Sequence, residues 1–145
     1  MNLPRYPFKL KRVEGQTQIF DEIRRKWLIL TPEEWVRQHF VMYMNTQGYP
    51  LSLMAIERKL TLNGMTRRSD ILAFQPSGDP YLLVECKAPG VPLSQEVLDQ
   101  AWRYNSVLRV PYVLITNGIQ HICIRCGPDG NQHYMDHLPS FESEE

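Results

Sequence analysis

Two apolar runs joined by a short polar turn constrain the fold of this chain more than any other feature. The runs flank Gln75-Pro76-Ser77-Gly78-Asp79-Pro80, a segment rich in turn-forming residues. Because such residues join adjacent antiparallel strands, we predict a β-hairpin here. A turn centred on Ser77-Gly78 sets Asp70 directly opposite Glu85, and Lys87 then points to the same side as Glu85.

This hairpin would bring two carboxylates and an ammonium group together at one strand end. Carboxylates that lie this close repel each other, and buried charge is costly without a partner. In one interpretation, Lys87 and Arg68 simply neutralise Asp70 and Glu85 in a surface ion cluster, which the spacing alone favours. In the other, a divalent cation lies between the carboxylates. Mg²⁺ takes one or two carboxylates together with water and phosphate oxygens.

Three further segments lead to a resemblance. Asp70 followed by Glu85-Cys86-Lys87 resembles the PD-(D/E)xK nuclease signature, with a serine in place of its proline. More narrowly, the chain from about Leu30 to Gly118 resembles the N-terminal nuclease domain of type I restriction enzyme R subunits. The segments that carry this similarity are Pro32-Glu33-Glu34-Trp35-Val36-Arg37-Gln38, Val84-Glu85-Cys86-Lys87-Ala88-Pro89 and Gln100 to Tyr104.

The resemblance implies Mg²⁺-dependent cleavage of DNA, with Mn²⁺ as a substitute. The implied metal ligands are Asp70, Glu85, Glu34 and the carbonyl of Cys86. Lys87 would orient the attacking water or stabilise developing negative charge. Gln100 and Tyr104 are four residues apart and share a helix face, where the resemblance has them assist Lys87 or a phosphate. Without the resemblance, they would be an exposed glutamine and a half-buried tyrosine.

Glu34 has two competing interpretations. Thr31-Pro32-Glu33-Glu34 has the form of a helix start, in which threonine caps the helix and the third residue after it completes a capping box. A carboxylate held at its own cap is poorly placed to reach a metal, and Glu33 would then be the freer acid. The resemblance nevertheless favours Glu34 as the site residue.

Local signals predict the remaining elements. The first helix should run from the Thr31 cap to about Gln47 and a second from Gln95 to Leu108 after a Ser94 cap. Strands are predicted at 53–60, at 111–116 and at 121–125, the Asn63-Gly64 pair makes a hairpin turn, and the residues after 131 are irregular. The order gives an α/β (α+β) fold with a restriction-endonuclease-like αβββαβ core, a mixed central sheet flanked by helices. The connection through the second helix should be right-handed.

The chain of 145 residues is long enough for one domain. We expect residues 1–30 to form an N-terminal arm that packs on a nuclease-like domain at 31–145. Residues 1–18 should wrap the surface, and residues 18–30 should form a strand pair or a strand and loop. Asp21 or Arg24 would then lie near the site, although no pattern requires it.

Charge limits the function classes. The net charge is zero, which argues against strong nonspecific binding to nucleic acid. The first thirty residues are nevertheless basic, so this arm either contacts a DNA backbone or is a solvated edge. Three cysteines argue against a disulfide framework, and Cys123 and Cys126 fall on opposite faces of a strand, which disfavours zinc.

No signal peptide core, membrane-length apolar run or glycine-rich phosphate loop is evident in the sequence. We therefore expect a cytoplasmic protein that has no ATP site and no membrane association. DNA is the expected partner, and a motor or specificity protein would be a separate chain. The alternative function is a non-catalytic module that binds nucleic acid or protein and retains the nuclease fold.

Overall fold

The structure, a computed structural model, describes residues 3–62, 65–127 and 130–141, with their side chains except those of 58–62, 65–69, 104 and 106–108. In this part of the chain, regular structure consists of two sheets, two long helices and one 3-10 turn at Leu51–Leu53. The elements in chain order are β1 (Leu10–Val13), β2 (Gln16–Asp21), β3 (Lys26–Ile29), α1 (Pro32–Thr46), β4 (Met54–Leu62), β5 (Met65–Phe74), β6 (Pro80–Cys86), α2 (Gln95–Leu108), β7 (Tyr112–Thr116), β8 (His121–Cys126) and β9 (Gln132–Met135).

Both helices begin where their capping residues predict. The Thr31 hydroxyl accepts a hydrogen bond from the Glu34 N–H at 3.1 Å, and Ser94 accepts one from the Val97 N–H at 3.4 Å. These bonds satisfy N–H groups that the first helical turn leaves without partners. Helix α1 ends at Thr46 with Gln47 as its C-cap, and Gly48 follows with a φ of 101°, a conformation that glycine adopts readily.

The larger sheet has the strand order β4-β5-β6-β7-β8-β9. Neighbouring strands are antiparallel except for β6 and β7, which are parallel and joined by α2. This mixed sheet with two helices confirms the predicted fold class and element order. The right-handed sense of the connection stays a prediction.

The predicted register of the hairpin is confirmed along most of its length. Ile71 pairs with Val84 and Leu72 with Leu83, until a bulge at Ala73/Phe74 near the turn. Continuing this register by one residue sets Asp70 opposite Glu85 at the other end of the hairpin.

Two predictions about the chain ends need correction. The residues after 131 were expected to be irregular, but β9 extends the sheet there. The first eighteen residues were expected to wrap the surface, but β1 joins β2 and β3 in an antiparallel sheet of order β1-β2-β3. The strand pair foreseen for residues 18–30 is confirmed as β2 and β3. The predicted Asn63-Gly64 turn lies outside the described residues, although Leu62 pairs with Met65 across it.

The two faces of the larger sheet bury separate apolar clusters. On one face, Val36, Phe40 and Met44 of α1 pack with a cluster that includes Ile71 and Val84. On the other, Leu98 and Ala101 of α2 pack with a cluster that includes Leu72, Leu83, Val113 and Ile115. Successive residues of β5 and β6 therefore serve opposite helices, as the two-residue period of a strand requires. Among the described residues, neither helix is long and apolar enough to cross a membrane.

Candidate active site

Asp70 lies in β5, at the end of the β5–β6 hairpin that is far from its turn, and it contacts Arg37 of α1. Its Oδ2 accepts a hydrogen bond from the Cys86 backbone N–H at 2.7 Å, which ties β5 to the end of β6. Its Oδ1 accepts one from the Arg37 guanidinium at 3.0 Å. The side chain is 18% exposed, so the carboxylate is held from two sides but still reaches solvent.

Glu34 is buried in the first turn of α1, and three donors bind its carboxylate. Oε1 accepts from Arg24 and from Gln38, each at 2.9 Å, and Oε2 accepts from Arg37. The backbone N–H of Glu34 makes the predicted cap bond with Thr31. The carboxylate therefore binds the two arginines and Gln38, and the assignment of Glu34 to a metal site stays a prediction. Glu33, the alternative acid, is exposed.

Two guanidinium groups connect four carboxylates at this position. Arg24 pairs with Asp21 at 2.5 Å, with Glu34 and with Glu57 at 3.3 Å. Arg37 pairs with Glu34, with Asp70 and with Glu57 at 3.3 Å. Four formal negative charges thus face two positive ones, which leaves an excess of negative charge. We call these six residues the acid–arginine cluster.

The arginines and the buried acids stabilise each other's charged forms. Burial alone would lower the pKa of Arg37, but Glu34 and Asp70 outweigh it and the pKa is raised overall. Burial alone would raise the pKa of Asp21, but bonds from Arg24 and from the Ile23 N–H outweigh it and the pKa is lowered. Arg37 and Asp21 are therefore both charged at neutral pH.

Glu57 occupies a strained position beside Asp70. The β4–β5 ladder pairs Ile56 with Ile71 and Arg58 with Ser69, and Glu57 and Asp70 fall between these pairs. Glu57 has a φ of 52°, in the left-handed region that non-glycine residues rarely adopt. Such strain often marks functional sites. Glu57, Asp70 and Glu85 thus occupy matching positions on three neighbouring strands.

Glu85 and Lys87 lie at the carboxyl end of the parallel pair β6–β7. Glu85 is buried, with 4% of its surface exposed, and pairs with Ile115. Lys87 follows β6 directly, and its backbone N–H donates to the Thr116 carbonyl at 2.8 Å. Among the described residues, its ammonium makes no ion pair. Among the described residues, the cation bound to Asp70 is Arg37 and not Lys87. The side chain of Arg68, the other cation of the ion cluster expected from spacing alone, lies outside the described residues.

The other predicted site residues are placed less closely. Burial and the nearby Asp70 raise the pKa of the Cys86 thiol well above its usual value, so only its carbonyl suits a hard cation. Gln100 is exposed on α2, and its amide makes no hydrogen bond to the described residues. The side chain of Tyr104 lies outside the described residues. The predicted contact of Gln100 and Tyr104 with Lys87 therefore stays a prediction.

Cys123 and Cys126 lie on opposite faces of the larger sheet. Cys123 is buried in the cluster on the α1 face, whereas Cys126 packs against the cluster on the α2 face. Burial raises the pKa of the Cys123 thiol to about 12. Within the described ranges, no three histidine, cysteine, aspartate or glutamate side chains are grouped to hold a metal ion. The predicted buried strand cysteine is confirmed.

Comparison with known proteins places the chain in a family. Residues 32–139 match the family described as "Type I restriction enzyme R protein N terminus (HSDR_N)". The chain belongs to this family. A fragment reported as the HsdR subunit of a type I restriction enzyme from Vibrio vulnificus YJ016 has a similar fold, with a TM-score of 0.57 and 18% identity. The match covers 77% of this chain and 24% of that one. No curated protein matches the chain in sequence.

Several residues that contact Glu34 or lie beside Asp70 were not assigned to the site from the sequence. Arg37 and Gln38 lie three and four residues after Glu34, and this spacing places side chains next to each other on a helix. Glu57 could have been found as well, because a turn at Asn63-Gly64 sets it opposite Asp70. Asp21 or Arg24 was expected near the predicted site, and Arg24 donates a hydrogen bond to Glu34 at 2.9 Å.

Proposed function

We propose that this chain is a PD-(D/E)xK-type nuclease domain that cleaves DNA phosphodiester bonds with the help of Mg²⁺. The observation that carries the proposal is the hairpin register. The last pair of this register is Ile71 with Val84. Continued by one residue, it would bring Asp70 opposite Glu85, with Lys87 two residues further on and its ammonium without an ion pair to the described residues. Membership in the restriction enzyme R protein family supports the same chemistry.

The residues present fit a hard divalent cation. The acid–arginine cluster holds four carboxylates against two guanidinium groups, so an added positive charge is electrostatically favourable. Two carboxylates satisfy the protein share of an Mg²⁺ site, and water and phosphate oxygens supply the rest. Asp70 and Glu85 would hold the ion, together with the Cys86 carbonyl. When bound, Mg²⁺ supplies polarisation of the scissile phosphate and a water of lowered pKa.

The proposal also assigns a role to each remaining residue of the predicted site. Lys87 orients the attacking water and stabilises negative charge that develops on the phosphate. Glu34 shares Arg37 with Asp70, so it holds Asp70 in place and reaches the ion only if Arg37 moves away. Gln100 and Tyr104 would orient Lys87 or a phosphate from α2.

The family supports a role in restriction. R subunits belong to enzymes that act on DNA with other subunits, and this chain spans 24% of the similar R subunit fragment. We therefore propose that a separate motor or specificity protein delivers DNA to this domain.

A second candidate is a binding module without catalysis. The Arg37 guanidinium bridges Glu34 and Asp70, and a fold that has lost its metal would stabilise leftover carboxylates in this way. The net charge of zero also suits a protein-binding module.

Mn²⁺ binding and DNA cleavage, measured on the same preparations, separate the two candidates. We expect Asp70→Asn and Glu85→Gln to lose Mn²⁺ binding in calorimetry. We expect Lys87→Ala to keep Mn²⁺ binding and lose cleavage of plasmid and single-stranded DNA. Lys87→Arg should restore little, because a planar guanidinium is a poor replacement for a compact ammonium. Arg125→Ala, which removes an exposed cation from β8, is the matched control and should behave as the wild type.

The outcomes are distinct. If Lys87→Ala cleaves as fast as the wild type, the assigned mechanism is wrong. If the wild type neither binds Mn²⁺ through Asp70 and Glu85 nor cleaves DNA, the chain is a binding module.

A further inference from the structure

The outer face of the small sheet carries cations over aromatic rings. Phe20 of β2 lies opposite Trp27 of β3, with ring centroids 5.3 Å apart. Lys11 Nζ lies 4.2 Å from the centroid of Trp27, and Lys9 Nζ lies 5.4 Å from that of Phe20. The Arg25 guanidinium lies 5.1 Å from the Phe20 centroid. We call these five residues the basic–aromatic face.

Strand alternation explains why this face is open. Ile19 and Asp21 flank Phe20 and are buried, so they point toward the rest of the domain and Phe20 points away from it. Phe20 and Trp27 are half-buried, whereas Lys9 and Lys11 are exposed. The sequence of β1–β3 therefore places its cations on the side that faces solvent.

The two lysines are available for an external anion. Among the described residues, neither Lys9 nor Lys11 pairs with a carboxylate, whereas Arg25 pairs with Glu22 at 2.8 Å. Packing of an ammonium on an aromatic ring restricts the lysine side chain without neutralising its charge. Lys9 and Lys11 thus pack on the rings and have no carboxylate partner among the described residues.

A cleft connects this face with the acid–arginine cluster. Its volume is about 490 Å³, and Lys26 and Trp27 of β3 line it together with Glu34, Arg37 and Glu57. Trp27 belongs to both the cleft and the basic–aromatic face. A ligand that lies across Lys11 and Trp27 therefore touches a residue that also lines the cleft.

We propose that the basic–aromatic face binds the phosphate backbone of DNA and leads it into this cleft. The inference rests on the proposed nuclease function, since a phosphodiester is the substrate that the cleft would receive. Phosphates bind to lysines mainly by charge. Because the net charge of the chain is zero, attraction of DNA has to come from a local group of cations such as this one. An acidic protein could also bind the lysines, but it contains no phosphodiester for the proposed reaction in the cleft.

Fluorescence anisotropy with a labelled DNA duplex tests the proposal, with EDTA present so that binding is measured without cleavage. Lys9→Gln and Lys11→Gln are compared singly and together with the wild type over a range of salt concentrations. Arg125→Gln is the matched control, since it removes one exposed cation from β8. Lys11→Arg keeps the charge and should bind as the wild type, which separates loss of charge from loss of fold.

We expect each lysine substitution to weaken binding and to reduce the slope of log affinity against log salt by about one. Arg125→Gln should leave the slope unchanged. If both lysine variants bind DNA as the wild type does, or if the wild type does not bind DNA, the proposed face is wrong. Equal competition by polyglutamate at the same charge concentration would instead indicate a general site for acidic polymers, including acidic proteins, and would also overturn the proposal.

The nuclease proposal is tested separately. Its readout is cleavage in the presence of Mn²⁺, which Lys87→Ala should lose, whereas the readout for the face is DNA binding by the Lys9 and Lys11 variants. If the Lys9 and Lys11 variants bind DNA normally while Mn²⁺ binding and Lys87-dependent cleavage are observed, the proposed face is wrong but the proposed function stands. A face that binds DNA while Lys87→Ala cleaves normally would leave the face in place and remove the mechanism.

Discussion

The two long helices pack on opposite faces of one sheet, but they bury different chemistry. In α1, Glu34 and Arg37 are buried beside the apolar residues Val36 and Phe40. In α2, Leu98, Ala101 and Asn105 are the buried residues among those whose side chains are described. A buried charge requires partners, and those of α1 come from β4, from β5 and from the segment after β2. The α1 side of the sheet end is therefore fixed by ion pairs that link several elements, whereas α2 is fixed by apolar packing.

Replacing Arg37 should expose this difference most strongly. Arg37→Met keeps most of the side-chain volume but leaves Glu34 and Asp70 without their shared cation. We expect a loss of about 3–5 kcal/mol in the free energy of unfolding, as measured for other broken buried ion pairs. Urea denaturation at low ionic strength provides the measurement. Gln100→Met on α2 is the control, and we expect it to change stability by less than about 0.5 kcal/mol.

A double variant shows whether the loss comes from uncompensated charge. Glu34→Gln combined with Arg37→Met removes one partner charge together with the arginine. We expect the pair of substitutions to cost less than the sum of the single ones. If the losses are additive, Glu34 and Arg37 do not stabilise each other, and α1 is not fixed by ion pairs in the way that distinguishes it from α2.

Asp70→Asn should have a smaller effect on the same cluster. Asparagine can still accept the Cys86 N–H but no longer pairs with Arg37, and the side chain is 18% exposed. We expect a loss of roughly 1–2 kcal/mol without metal. In addition, Mn²⁺ should raise the melting temperature of the wild type but not of the variant. A metal-free variant as stable as the wild type would mean that repulsion among the carboxylates cancels the Arg37 pair.

Elements defined by local signals could be predicted from the sequence. Thr31 and Ser94 mark the helix starts, Gly48 follows the end of α1, and the turn residues set the register that brings Asp70 to Glu85. Each of these signals depends on backbone geometry within a few residues of itself. These local signals therefore predict the strand end that carries Asp70, but they do not predict that Arg24 and Arg37 contact the carboxylates there.

The features that could not be predicted depend on distant contacts or lack a burial pattern. Arg24 reaches Glu34 because a tight turn after β2 directs it there, and no periodicity encodes that direction. Strand β9 exposes Gln132, His133 and Tyr134, so it shows no alternation of apolar and polar residues. Such a strand at a sheet edge looks like a loop in the sequence.

The N-caps offer a comparison between the helices at equal chemistry. Thr31 and Ser94 both accept one N–H bond, at 3.1 Å and 3.4 Å. Because the Thr31 bond is shorter and orients Glu34, we expect Thr31→Ala to cost about 1–1.5 kcal/mol and Ser94→Ala about 0.5 kcal/mol. Thermal unfolding of both variants tests the order. If both variants lose the same stability, the ion pairs of Glu34 do not add to the contribution of the Thr31 cap.

The smallest predicted effect is a change of stability with pH, and it arises from α1, which contains His39, whereas α2 contains no histidine. His39 of α1 is 3% exposed and packs against Trp35 and Phe8, with ring centroids 4.2 Å and 4.7 Å away. Burial lowers its pKa below the ordinary 6.5, although a hydrogen bond from Nδ1 to the Trp35 carbonyl acts in the opposite direction. The folded state therefore favours the neutral imidazole.

The sign of the pH dependence follows from this shift. Above pH 6.5 the contribution of His39 to stability is fully present, and it is lost as the pH falls toward the lower pKa of the folded state. The lowered pKa of Asp21 acts in the same direction, but only below the ordinary value of 3.8. Urea denaturation from about pH 8 to about pH 5 covers the window in which His39 takes up its proton. His39→Gln should flatten the profile in this window whatever its absolute stability, whereas a slope equal to that of the wild type would place the proton uptake on another group.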